Sequence, residues 1–173
     1  MNKAFFGVHV PTITPYGEDG QVSEELIRAL AEFYINAGVR CLVPTANNGE
    51  QPLLDAEEKK RVWRTTIDAA AGRVCVAPSV TGNTTREVMA QAEFAESIGA
   101  DGVMVAPPYY FKASEDELFD HYRVVAGSIN IPLMIHNEPG VFKSDVTPTL
   151  VAKLNQIDNI SMRNQHDPDR IVQ

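Results

Sequence analysis

The chain has 173 residues, 44% of them hydrophobic and 22% charged, enough for one domain with a core of its own. A formal charge of −8 argues against nucleic-acid binding, which needs clustered Lys and Arg. No stretch approaches the roughly 18 continuous apolar residues of a membrane span, and the N-terminus lacks a signal-peptide pattern, so the expected compartment is the cytoplasm.

One pattern recurs along the chain: an amphipathic helix, a glycine or polar stop, then a short apolar run. After a first apolar run, GVHVPTIT, comes VSEELIRALAEFYINAGVRCLVPT. Here Ser23 caps a helix with glutamates in its first turn, Leu26, Leu30, Phe33, Tyr34 and Ala37 follow helical spacing, and Gly38 ends it. DAEEKKRVWRTTIDAAAGRVCVAPSV is the next copy, and TTREVMAQAEFAESIGADGVMVAPP follows with Gly99 as the stop. SEDELFDHYRVVAGSINIPLMIHN and TPTLVAKLNQIDNISM complete the series. Strands are expected near residues 7, 39, 74, 101, 132 and 160, an interval of about 30 residues, the size of one βα unit. Their continuous apolar character predicts burial on both faces and a parallel sheet with right-handed crossovers. Cys41 and Cys75 lie inside such runs and read as buried, reduced thiols.

A doubly wound sheet and a (β/α)8 barrel both fit. No Gly-rich phosphate loop follows the first strand, which weakens the nucleotide-binding version of the doubly wound sheet. In a barrel the chemistry gathers at the C-terminal ends of strands. Those ends read PTIT, PTANNGE, PSVTGN, APPYY, IHNEPG and MRNQ, rich in hydroxyls, amides and glycines, which suits a small polar ligand.

Taken in order, GVHVPTITPYGEDGQVS, NNGEQPLLDAEEKKRV, GADGVMVAPPYYFKASEDELFDHY and IPLMIHNEPGVFKSDVTPTLVAKL resemble the dihydrodipicolinate synthase and N-acetylneuraminate lyase family. The resemblance covers nearly the whole chain. It implies a (β/α)8 class I aldolase fold, lyase chemistry through a Schiff base with pyruvate or a related 2-oxo acid, no cofactor or metal, and a homo-oligomer. Residues 1–173 then form a partial barrel of about six βα units, without the last two units and the C-terminal helical extension. Two uncovered strand edges are expected to drive association.

Residue by residue, the resemblance departs from its own pattern. The lysine that ends the sixth strand in the family falls on Asn164, or on Arg163 if the register slips by one. An amide nitrogen is not nucleophilic and a guanidinium stays protonated, so neither replaces the amine. The family's tyrosine at the end of the fifth strand falls on His136, which is able to act as a general acid or base. Its hydroxyl pair falls on Asn47 and Asn48, whose amides still donate to a carboxylate, while Gly49 and Glu50 shape the loop. Tyr110 matches the tyrosine that family oligomers insert into a neighbouring subunit, and Tyr109 beside it is placed with the substrate-binding residues. Val141 replaces the arginine that marks the true synthases, and DPDRI resembles the turn after strand six. His9 reads as packed in the first strand, and His121 as a structural histidine at the surface or in a groove. Two functions stay open: an aldolase-family protein acting on a 2-oxo acid, and a non-catalytic paralogue or truncated copy with a binding or structural role.

Overall fold

The structure, a computed structural model, describes residues 7–165. Six strands alternate with helices: β1 (His9–Pro11), α1 (Glu24–Asn36), β2 (Cys41–Val43), α2 (Ala56–Ala70), β3 (Cys75–Val76), α3 (Thr85–Ser97), β4 (Val103–Val105), α4 (Glu115–Gly127), β5 (Leu133–Asn137), α5 (Pro139–Phe142), α6 (Pro148–Leu154) and β6 (Ile160–Gln165). Every strand begins within two residues of the position expected from its apolar run. The residues form two compact units, one running to Ser79 with Ser97–Asp101, the other Val80–Glu96 with the chain from Gly102 onward. Among the described residues no helix is long and apolar enough to cross a membrane.

In the first unit β1, β2 and β3 form a parallel sheet in that order, with His9 opposite Cys41 and Cys41 opposite Cys75. Ser23 caps α1, its hydroxyl accepting from the Leu26 N–H at 3.3 Å. The helix closes with Gly38 at φ +85°, where the Val39 N–H reaches the Tyr34 carbonyl and the Gly38 N–H that of Ile35. This ending needs a residue at ease in the left-handed region. The inward stripe is not the expected one. Ile27 and Ala31 are buried, whereas Leu26 and Phe33 stand 43% and 66% exposed and Ala37 is exposed. The apolar arc of α1 is wider than the face it presents to Val39 and Leu42, and helical spacing alone does not choose which half turns inward.

β2 and β3 are fully buried, but all three residues of β1 are only half-buried, with Val8 and Ile13 exposed on either side. This corrects the expectation of two covered faces, because β1 pairs with one strand only among the described residues. Cys41 and Cys75 are free and buried. The neighbouring Cys41 thiol, with burial second, pushes the Cys75 thiol far up, which keeps Cys75 protonated and unreactive.

In the second unit β4, β5 and β6 form another parallel sheet in that order. β4 and β5 are buried throughout, as are Leu118, Tyr122 and Val125 of α4 and Leu150 and Leu154 of α6, and Tyr122 donates its hydroxyl to the Val105 carbonyl at 3.3 Å. Ser114 starts α4 through a capping box with Glu117, and Thr147 caps α6 ahead of Pro148. Pairing of β5 with β6 is interrupted once. Leu133 faces Ile160 but Met134 faces Met162, so Ser161 is the extra residue of a bulge.

At the C-terminal end of β2 the backbone of Thr45 adopts φ +58°, costly for a β-branched residue. Its hydroxyl accepts from the Trp63 indole N–H at 2.7 Å and lies within reach of the Pro44 and Ser79 carbonyls. Trp63 is 1% exposed, so α2 anchors the strained strand end from within the core. Trp63→Phe should keep the fold and lose about 1–2 kcal/mol of stability in urea unfolding, the cost of one buried hydrogen bond. An unchanged midpoint would show that the two carbonyls hold Thr45 unaided.

Candidate functional site

Strand ends carry the candidate residues, and each unit supplies its own set. In the first unit the chain leaves β2 through buried Pro44, Thr45 and Ala46 into a 3-10 turn over Asn47–Gly49. Asn47 is half-buried and Asn48 exposed. Local backbone bonds close the turn, from the Gly49 N–H to the Ala46 carbonyl at 2.9 Å and from the Glu50 N–H to that of Asn47 at 3.0 Å. Gly49 is buried against the end of β1. Thr14 donates its hydroxyl to the Gly49 carbonyl at 2.8 Å, and a Cβ on Gly49 would meet the Thr12 carbonyl oxygen at 2.9 Å. A side chain there would push the two strand ends apart. Glu50 then turns through φ +55° into a second 3-10 turn, Gln51–Leu53. The Asn-Asn-Gly-Glu segment is thus a rigid ledge whose amides stand at the end of β2.

In the second unit His136 ends β5 almost completely buried, 3% exposed. Its ring stands edge-on to Phe142 at a centroid distance of 5.0 Å, and its Nε2 lies 3.5 Å from Oε2 of Glu138. A carboxylate at that nitrogen favours the Nε2–H tautomer and orients the ring. Across the ladder His136 faces Asn164, and Ile135 faces Arg163. Without the bulge at Ser161, continuing the Leu133–Ile160 register would bring Arg163 opposite His136 instead. The β6 side chains beyond Ile160 lie outside the described residues, as does the DPDRI segment.

Asn137, next along β5, was not among the expected site residues. It is fully buried. Its Oδ1 accepts from the Val146 N–H at 2.9 Å, and its Nδ2 reaches Oδ1 of Asp145 at 3.2 Å and the Val146 carbonyl at 3.4 Å. It fastens the loop that carries Glu138 and Phe142 back onto the strand, and so holds the surroundings of His136. The sequence signal was an amide one residue past an apolar run and directly before a Glu-Pro-Gly turn.

After β4, Asn83 accepts through one Oδ1 from the N–H groups of Tyr109 and Tyr110, at 3.3 and 3.0 Å. Tyr109 is half-buried, while Tyr110 is 69% exposed and packs edge-on against Phe111. The second unit therefore brings His136 and Asn164 together on neighbouring strands and holds the two tyrosines on a separate loop. Of the two positions expected for His121 it takes the groove, lining it at 4% exposure with Nδ1 2.9 Å from the Thr85 hydroxyl. Burial pushes its pKa down to about 4, so the ring is neutral. His9 is half-buried in β1, and Val141 is 49% exposed beyond β5. Among the described residues no cluster of three or more His, Cys, Asp or Glu is placed to hold a metal ion.

Residues 4–163 match the Dihydrodipicolinate synthetase family. Over 156 residues the chain is 41% identical to a 4-hydroxy-tetrahydrodipicolinate synthase of Acidiphilium cryptum, covering 90% of this chain and 53% of that protein. Among solved structures, dihydrodipicolinate synthase from Aquifex aeolicus superposes with a TM-score of 0.90 at 32% identity, over 94% of this chain and 55% of that one. A prophage protein of the dihydrodipicolinic acid synthase family from E. coli K12, solved in complex with pyruvate, gives a TM-score of 0.90 at 36% identity over 93% and 54%. The chain spans about half the length of the curated relatives it matches.

Burial of neutral His121 makes a pH prediction. Its folded pKa, about 4, lies below its ordinary 6.5, so between those values the unfolded chain binds the extra proton. The stability this group contributes is present near neutral pH and is lost as pH falls through that window. From pH 7 to pH 5 the loss should be on the order of 2 kcal/mol. Urea midpoints at the two pH values measure it, and His121→Phe should flatten the difference by that amount. An equal slope in the variant would mean that His121 is protonated in the folded protein.

Proposed function

From the chain's membership of the dihydrodipicolinate synthetase family, with its (β/α)8 barrel fold, we propose that this protein takes up pyruvate or a related 2-oxo acid at the strand ends without forming a Schiff base. The observation that carries the reading is the ladder between β5 and β6, where Asn164 stands opposite His136. By resemblance the family sets its attacking amine at position 164, and its proton-relaying tyrosine at position 136. An amide cannot add to a ketone, because its nitrogen lone pair is delocalised into the carbonyl. The paired Arg163 and Ile135 lie one step back along the ladder, and a guanidinium would not serve as nucleophile there either.

Binding and chemistry separate at this point. The donors for a carboxylate remain, because Asn47 and Asn48 keep amide N–H groups at the positions of the family's hydroxyl pair. A candidate acid–base group also remains, His136 with the Glu138 carboxylate 3.5 Å from its Nε2. Missing is the electron sink that a protonated imine supplies to the bond being broken. A substrate carbonyl would stay a ketone, activated only by hydrogen bonds. The pyruvate complex of the E. coli relative supports the choice of a 2-oxo acid. The amide at position 164 favours a second reading, a binding protein of aldolase descent with no turnover, and the two readings agree on the absence of covalent capture.

Incubation with pyruvate, reduction with borohydride and intact mass measurement test the proposal. The protein should gain no reduced pyruvate adduct. Asn164→Lys should gain one per chain, mapped to residue 164, since placement beside the carbonyl and removal from water supply most of what the amine needs. An adduct on any lysine of the unsubstituted protein, or a folded Asn164→Lys variant that traps none, overturns the reading.

A further inference from the structure

Among the described residues four other than glycine take positive φ: Thr45, Glu50, Ala71 and Lys143. Ala71 and Lys143 close the helices α2 and α5, the ordinary place for a left-handed residue. Thr45 and Glu50 instead bracket the Asn47–Gly49 turn, one before it and one after it. A β-branched residue at φ +58° persists only where its surroundings hold it, and such strain gathers at sites that bind.

Thr45 is held by a bond that closes the ledge segment on itself. The Trp63 indole N–H donates to the Thr45 hydroxyl at 2.7 Å, and both side chains are buried. That hydroxyl has one proton to give, and the Pro44 and Ser79 carbonyls lie at 2.7 and 3.1 Å to take it. Trp63 belongs to α2, the helix that follows the two 3-10 turns, and an Asp55–Glu58 capping box fixes the start of that helix. Residues 45 to 63 are therefore tied together at their two ends, with Asn47 and Asn48 between them. The Thr14 hydroxyl holds the Gly49 carbonyl at 2.8 Å, a grip on the end of the turn and not on its start.

We propose that Trp63 is a positioning residue for the ledge. By holding Thr45 in its left-handed conformation, Trp63 fixes the direction in which the chain leaves β2, and so where the Asn47 and Asn48 amides stand to receive a 2-oxo acid carboxylate. The role rests on pyruvate binding at the ledge, the function proposed above. Trp63 is 1% exposed and acts through Thr45, so its contribution falls on the affinity and on the order of the two amides.

The side-chain amide 1H–15N resonances of Asn47 and Asn48, followed in the full chain with and without pyruvate, test it. Trp63→Phe keeps a ring in the core and removes the N–H, and Thr45→Val keeps a branched side chain and removes the hydroxyl. Well below its unfolding midpoint, each variant should bind pyruvate about tenfold more weakly than the unsubstituted chain, the scale of one buried hydrogen bond. The double variant should bind no more weakly than either single one, because all three lack the same bond. Without ligand, both amide resonances should shift or broaden in every variant. Unchanged resonances and affinity, even with a lowered urea midpoint, would make Trp63 a core residue alone and overturn the proposal. Losses that add in the double variant would overturn it as well. If the unsubstituted chain does not saturate with pyruvate, the proposed function fails, and the ligand-free resonances decide the role of Trp63: a change supports it and constancy overturns it. Should Trp63→Phe fail to fold, Thr45→Val carries the same comparison.

Discussion

The chemistry available at the second unit's strand ends depends on one backbone feature, the register of β6 against β5. A parallel ladder fixes which residues stand side by side at the end of a sheet, and a slip of one residue turns the side chains to the opposite face. The bulge at Ser161 makes that slip once, between Leu133 and Met134. Because of it an amide, rather than a guanidinium, stands opposite His136. An amide carries hydrogen-bonding groups without charge, and its nitrogen is not nucleophilic.

Around that register, polar side chains hold the loops to the strands more than apolar packing does. Asn137 fastens the loop after β5 through three bonds to Asp145 and Val146. Thr45 is caught by Trp63 at the end of β2, and Gly49 lets the next turn rest on the Thr12 carbonyl. Asn83 does the same for the tyrosines after β4. Asn137 and Asn83 satisfy backbone groups beyond the strands, which is the general requirement where the ladder ends.

Much of this was legible in the sequence because its causes are local. Continuous apolar runs fixed six strands to within two residues, Ser23 announced its helix, and Gly38 and Gly99 marked stops that the backbone takes with positive φ. The less legible features depend on distant partners. Which half of the α1 apolar arc turns inward depends on where Val39 and Leu42 lie, and Phe33 gives no hint that it stays outside. β1 reads like the other strands but is only half-covered, since burial is decided by its neighbours. His121 sits on a helix among charged residues, and only the packing of α4 shows that it is buried against Thr85. The bulge at Ser161 leaves no mark in a run as short as NISM.

Under the proposed function the strand end binds a 2-oxo acid and leaves its carbonyl free. Carbon NMR of pyruvate labelled with 13C at the ketone carbon, titrated with the protein, measures this without trapping. The ketone resonance should broaden and shift with saturation and return unchanged on dilution, with no new carbon signal. A separate imine or enamine resonance growing with protein concentration would contradict the account, because it would require an amine where the ladder places Asn164.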